Sequence, residues 1–165
     1  PTYRIRHAQR LFYTNEIPEG ESLALRPAHI QEFDFLYEST ALMRVEDEQY
    51  DPRKRDAELW SKTIKALLAQ QRILIGEQDN KPCFIIEIGT RCSIGAQVGS
   101  TYVVPGFRGQ GLSVKGMRGL INCLLPSCST ISLLAHEENI PAIACYRRTG
   151  LHEATPFRLI EFIGQ

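Results

Sequence analysis

The chain has 165 residues, 43% of them apolar, and its charges balance at 19 basic and 19 acidic, which suits one folded domain and excludes a disordered chain or a general polyanion binder. No apolar run approaches the ~18–20 residues of a membrane span, and the start of the chain, with Arg4, Arg6 and Arg10 but no apolar core, is no secretory signal. The 5 cysteines, Cys83, Cys92, Cys123, Cys128 and Cys145, form no C-x-x-C pair, so no zinc site is expected, and their odd number fits a reduced, cytoplasmic setting.

Residues 1–21 show no clear period and read as an N-terminal extension or linker ahead of a domain over 22–165. A short strand is expected at 23–26, then a helix over 30–43 with Phe33, Leu36 and Tyr37 at helical spacing. A second helix is expected over 56–70, with Trp60, Ile64, Leu67 and Leu68 on one face and Asp56 near its start. Strands follow at 72–76 and 83–88, joined by the turn residues Asp79 and Asn80. A strand at 96–104 ends in the apolar residues Tyr102, Val103 and Val104 and feeds a loop rich in Arg and Gly. A helix over 113–125 then carries Val114, Met117, Ile121 and Leu124 on one face. After a strand at 130–135, Asn139 is a good N-cap for a helix running to Thr149, with Pro141 in its first turn and Gly150 suited to a left-handed end. Segments 151–154 and 157–163 close the sheet. The order describes a mixed α/β sheet flanked by helices.

The loop between strand 96–104 and helix 113–125 is the most informative stretch. Strand, glycine loop and helix in that order place unpaired N–H groups at a positive helix end, which attracts phosphate. Gly109 and Gly111 carry no Cβ, so a ligand could approach the backbone closely. Such a turn is also a common tight connection. G-x-x-x-x-G-K-[ST] is absent, and there is no G-x-G-x-x-G after the strand, so neither a P-loop nor a dinucleotide-binding domain fits.

Arg108-x-x-Gly111-x-Ser113 resembles the acyl-CoA pyrophosphate loop of the GCN5-related N-acetyltransferases (GNAT), Gln/Arg-x-x-Gly-x-Gly/Ala, with Ser113 at the last small position. Asn139-x-x-Ala142-x-x-x-Tyr146-x-x-x-Gly150-Leu151 resembles the family's second block, with Leu151 in place of Phe. The resemblance covers roughly residues 23–163. Within the superfamily it is similar to a group of predicted acetyltransferases in which this domain follows another N-terminal segment. The residues shared with that group are Arg26-Pro27, Met43 with Glu46, Asp51-Pro52 and residues 84–89.

The resemblance implies a mixed, mostly antiparallel sheet and acetyl-CoA as cofactor. The N–H groups of Arg108, Gly109, Gln110, Gly111, Leu112 and Ser113 would hold its pyrophosphate. It further implies that the Thr101 N–H points at the acetyl oxygen and the Val103 N–H at pantetheine, where two parallel strands splay apart, with a bulge that Gly99 could permit. Tyr146 would lie near the CoA sulfur as the acid, though at helical spacing with Ile143 it also reads as a core aromatic. Asn139 would cap its helix, bond the pantetheine arm, or both.

For a base, Glu87 ranks first, in the otherwise apolar strand segment 84–88, where apolar surroundings would raise its pKa; a solvent-facing strand position is the other reading. Glu46, after the first helix, ranks second and His136 third. Cys145 has no activating base nearby in sequence, so direct transfer in a ternary complex is expected rather than an acetyl-cysteine. The expected activity is N-acetyl transfer to a small-molecule or peptide amine, without nucleic acid, membrane or metal, and with a homodimer left open. The alternative is a non-catalytic acyl-CoA-binding regulatory module.

Overall fold

The computed structural model describes residues 2–163, which form a seven-stranded sheet with four α-helices. The strands are β1 (Thr2–Thr14), β2 (Leu25–Pro27), β3 (Ile73–Gln78), β4 (Lys81–Arg91), β5 (Ala96–Val103), β6 (Ile131–His136) and β7 (His152–Ile163). The helices are α1 (Phe33–Glu48), α2 (Pro52–Ala69), α3 (Leu112–Leu124) and α4 (Ile140–Thr149). Across the sheet the order is β2-β3-β4-β5-β6-β1-β7, antiparallel throughout except for the β5–β6 pair. No helix among the described residues is long and apolar enough to cross a membrane.

The central strands are apolar on both sides because both are covered. Along β4, Phe84, Ile86 and Ile88 join Met117, Leu120 and Ile121 of α3 and Ile143 of α4 in one core. Ile85, with Ile73 and Ile75 of β3, joins Leu36 and Met43 of α1 and Ile64 and Leu68 of α2 in the other. Helix α3 lies close against the strand side because Gly119 has no side chain; a Cβ there would come within 1.9 Å of the Leu23 carbonyl oxygen.

Several elements fall where the periodicity places them. The turn at Asp79 and Asn80 has φ of +52° and +59°, the primed geometry that suits a two-residue hairpin. The Asn139 side chain accepts from Ala142 N–H, and Gly150 ends α4 with φ +100°.

Three expectations change. Residues 1–21, expected as an extension or linker, contain β1, which pairs through Gln9–Thr14 with β6 and through Thr2–Tyr13 with β7. A register shift between Ile5 and His7 breaks its alternation, so no period of two shows in the sequence. Helix α2 begins at Pro52 with Asp51 as N-cap, not at Asp56; Asp56 is a non-helical kink (φ −159°, ψ 91°) whose carboxylate accepts from Leu59 N–H at 2.9 Å and so caps the second segment. The two closing strands are one, β7. Pro156 interrupts its sequence but not its course, because β7 is an edge strand where a missing N–H costs no ladder bond.

Candidate active site

The site begins with one extra residue in β5. Glu87 of β4 pairs with Gly99, but Ile85 pairs with Tyr102, so three steps along β5 match two along β4. The residue that absorbs the mismatch is Ser100, at φ +51°. Gly99, the expected bulge residue, is not at positive φ. The insertion inverts the pleat. Before it, Ala96 and Val98 face the α3/α4 core; after it, Tyr102 faces the α1/α2 core.

On the other side of β5, pairing with β6 is limited to Ala96↔Ile131 and Gln97↔Ser132, after which the two parallel strands part. The Val104 N–H donates to the Cys83 carbonyl at 3.0 Å, so alternation turns the N–H of Val103 away from β4 and toward this cleft. At the head of the cleft a short 3-10 turn, Pro105–Phe107, leads into Arg108, Gly109 at φ +79° and Gly111 at φ +73°. Gly111 is the N-cap of α3, and no side chain caps that helix. The first helical bonds are those of the Val114 and Lys115 N–H groups to the Gly111 carbonyl, which leaves the Leu112 and Ser113 N–H groups at the positive end. A Cβ at Gly109 or Gly111 would meet nothing within 4 Å. The loop is therefore open on its outer side, and its donors fit a phosphate chain.

A cavity of about 190 Å³ occupies the cleft. It brings together Glu46, Thr101, Val103, Arg108, Ser113, Asn139 and Tyr146 from three separate parts of the sequence. Tyr146 is buried and packs its ring 5.5 Å from that of Phe12. Burial pushes its phenol up to about 12, opposed by a hydrogen bond with the Thr101 side chain, so at neutral pH it is a proton donor. The neighbouring Cys145 thiol is also pushed up by burial, against hydrogen bonds with Ser113 and Thr149. That is the opposite of what a thiolate nucleophile needs. Asn139 donates to the Asp47 carboxylate at 3.4 Å while its own oxygen caps α4, so it serves both readings. The Asp47 carboxyl lies at the rim of the cleft, where desolvation raises it above the ordinary range, with His136 pulling it back.

Arg108 does more than supply an N–H. Its guanidinium bonds both carboxylate oxygens of Glu46, at 2.8 and 3.1 Å, donates to the Val103 carbonyl at 3.0 Å, and lies 5.2 Å from the Tyr102 ring centre. Glu46, expected as a base, is thus the α1 end of a bridge across the cleft.

The sequence profile of the acetyltransferase (GNAT) family matches residues 33–151, more than half of the chain. The chain belongs to the GNAT family. No curated protein matches it. Among solved structures it is similar to a GNAT-family acetyltransferase from Colwellia psychrerythraea, with TM-score 0.71 and 13% identity over 97% of this chain and 56% of that one. It is also similar to a GCN5-related N-acetyltransferase from Sphaerobacter thermophilus, with TM-score 0.63 and 15% identity over 96% of this chain and 51% of the other. A third is a predicted acetyltransferase with acetyl-CoA from Clostridium acetobutylicum, with TM-score 0.58 and 17% identity over 80% and 91%. At these identities the likeness is one of fold. The chain spans about half the length of the first two proteins.

GNAT proteins transfer acyl groups from acyl-CoA, and their acetyltransferases act on amine acceptors. The side chains of the remaining expected residues of this GNAT domain do not line the cleft. The Gln110 side chain meets Gln78 at 3.4 Å, and Leu112 is buried in the α3 core. His136, third-ranked as a base, ends β6 with its ring edge-on to His7 at 4.7 Å and does not line the cavity. Glu87 lies on the opposite face of the sheet and is not isolated among apolar groups: Arg72, itself bonded to the Ile88 and Gly89 carbonyls, is 3.4 Å from its carboxylate. Glu87 and Ser100 line a second cavity, of about 250 Å³, under α1 and α2, and Met43 lines both cavities. Sequence reasoning passed over Asp47, Ser100 and Arg72. Only Asp47 carried a signal, its place beside Glu46 at the end of α1.

Proposed function

We propose that this GNAT domain is an acetyl-CoA-dependent N-acetyltransferase working by direct transfer in a ternary complex. The carrying observation is that one cleft, opened by the parting of β5 and β6, holds the uncapped start of α3, the free face of Thr101 to Val103 and the protonated phenol of Tyr146. The Leu112 and Ser113 N–H groups hold the pyrophosphate, and Val103 N–H holds the pantetheine arm. The Thr101 N–H is directed at the thioester oxygen, where one aimed donor contributes ~2.7–4 kcal/mol to the lowered barrier. The neutral amine's lone pair forms the N–C bond, the C–S bond breaks with its electron pair on sulfur, and Tyr146 O–H donates to that sulfur. The Glu87 carboxylate, on the other side of the bulge, takes the amine proton directly or through water. Buried Cys145 takes no part.

The test is release of free thiol from acetyl-CoA with a panel of primary amines, beside a thermal-shift titration. At ligand ~100 times its dissociation constant the fold gains about 2.7 kcal/mol. Stabilisation without turnover on any amine would leave a binding module in place of an enzyme, and no stabilisation at millimolar acetyl-CoA would remove the cofactor assignment.

A further inference from the structure

The strained residue of the bulge is a serine, although a glycine stands beside it. Ser100 holds φ +51°, which glycine adopts freely and serine does not. Gly99 has no positive φ, and a Cβ there would meet nothing within 4 Å. Strain of this kind persists only where the surroundings enforce it. The ladder does so on either side, through Glu87↔Gly99 and Ile85↔Tyr102, but it has no pair for Ser100 itself. What reaches Ser100 comes from α1: Arg44 Nη2 donates to its hydroxyl at 3.4 Å, a long hydrogen bond but one with a charged donor. Arg44 is braced in turn by the Glu48 carboxylate, 2.5 Å from Nη1 and one helical turn away. Met43 beside Arg44 and Tyr102 just past the bulge share one core, so α1 and this stretch of β5 are packed together at the contact.

The contact bears on the cleft through one peptide unit. The Thr101 N–H belongs to the planar unit that follows the Ser100 Cα, so the torsions of Ser100 set where that N–H points. The Thr101 side chain, carried on the same residue, hydrogen-bonds the Tyr146 phenol. Returning Ser100 to extended torsions would remove the inversion of the pleat and turn both groups away. We infer that Arg44 and Ser100 are positioning residues: Arg44, through the Ser100 hydroxyl, holds the bulge in its left-handed form and so aims the Thr101 N–H at the thioester oxygen. The inference rests on the transferase reading above. It also accounts for serine at a place where glycine would sit without strain. Glycine would reach the same φ but would leave it as easily, and it offers Arg44 nothing to hold.

The test reads the aimed N–H without any acceptor. Acetyl-CoA isotope-labelled at its thioester carbonyl is bound to the protein, and its carbonyl stretch is followed by difference infrared spectroscopy. The parent should lower that band relative to free acetyl-CoA. Ser100→Ala, which removes only the hydroxyl, and Arg44→Met, which keeps the apolar stem, should each move the band back toward its free position. Acetyl-CoA affinity by calorimetry should stay within about twofold, which also shows that the variants are folded. In turnover with an amine that the parent accepts, each should lower kcat about tenfold or more with KM for acetyl-CoA little changed, and the double variant should lose no more than either single one. Ser100→Gly relieves the strain and should melt above Ser100→Ala, yet lose the band shift equally, which separates aiming from folding. A shifted parent band that Ser100→Ala and Arg44→Met leave in place, or losses that multiply in the double variant, overturns the inference alone. A parent that binds acetyl-CoA with no carbonyl shift would count against the Thr101 assignment in the transferase reading, and no binding would count against the cofactor; either result removes this inference with it.

Discussion

Two residues, Tyr146 and Gly111, can each be tested by a single substitution. Tyr146→Phe keeps the ring that packs on Phe12 and removes only the O–H. It should lower kcat by ~10²–10⁴-fold with KM for acetyl-CoA nearly unchanged, as expected for a donor used in the transition state. The same phenol has a pH signature. Its folded pKa, about 12, lies above the ordinary phenol value of 10.0, so the fold favours the protonated form. The stability this contributes is complete below about pH 10 and is lost as pH rises toward 12, on the order of 1–3 kcal/mol. Across that range the parent should lose stability relative to Tyr146→Phe, which has no proton to lose there; parallel denaturation curves would show that Tyr146 is not buried as described. Gly111→Val tests the loop. A valine at φ +73° costs about 1–2 kcal/mol of strain, yet its Cβ would meet no protein atom within 4 Å, so its bulk projects where the phosphates would lie. Calorimetry should show acetyl-CoA affinity falling about tenfold or more, and equal affinity in the folded variant would make the loop a turn and nothing else.

At the scale of elements, the bridge from the end of α1 to the α3 loop is the contact that matters most. Glu46 and Arg108 are 47% and 43% exposed as side chains, so the pair contributes at most about 1 kcal/mol to stability. Its weight is electrostatic: a carboxylate in a cleft meant for a polyanion, occupying the nearest guanidinium. Glu46→Gln should therefore leave the melting temperature almost unchanged and tighten acetyl-CoA binding about fivefold; weaker binding would mean that Glu46 instead holds Arg108 in its receiving pose. How legible these elements are in sequence varies with how they are held. Helix α4 is readable end to end because Asn139, Pro141 and Gly150 each act through local backbone chemistry. The α3 loop is readable for the same reason. The bulge is not, since nothing local in a serine announces a positive φ and Gly99 beside it is the more obvious choice. The partnership of Arg72 with Glu87 is equally hidden, because β3 and β4 bring together residues fifteen apart. Strand β1 escapes because its residues owe their conformation to β6 and β7, more than a hundred positions away.

Over the whole molecule, β1 divides the sheet into a packed part and an open part. Its second half is sandwiched between β6 and β7, and there Phe12 is 0% exposed against Tyr146 and the α3/α4 core. Its first half pairs only with β7, as a two-stranded ribbon beyond the end of β6, and such a ribbon is marginal in water by itself. On one face of that ribbon Tyr3 lies opposite Phe162 and Ile5 opposite Ile160, all four exposed, while Arg4 and Glu161 pair on the other. The two phenylalanines should therefore report two different regimes. Phe12→Ala removes a fully enclosed ring and should cost ~3–5 kcal/mol, because the surrounding side chains can only partly close the cavity. It should also disturb Tyr146, and so lower activity along with stability. Phe162, at 66% exposure, gains little from the fold, and Phe162→Ser should change stability by about 0.5 kcal/mol or less. Urea unfolding of both variants, with m-values compared to the parent, checks the pair. A cost for Phe162→Ser approaching that of Phe12→Ala would mean that the ribbon is packed in solution against a surface absent from residues 2–163.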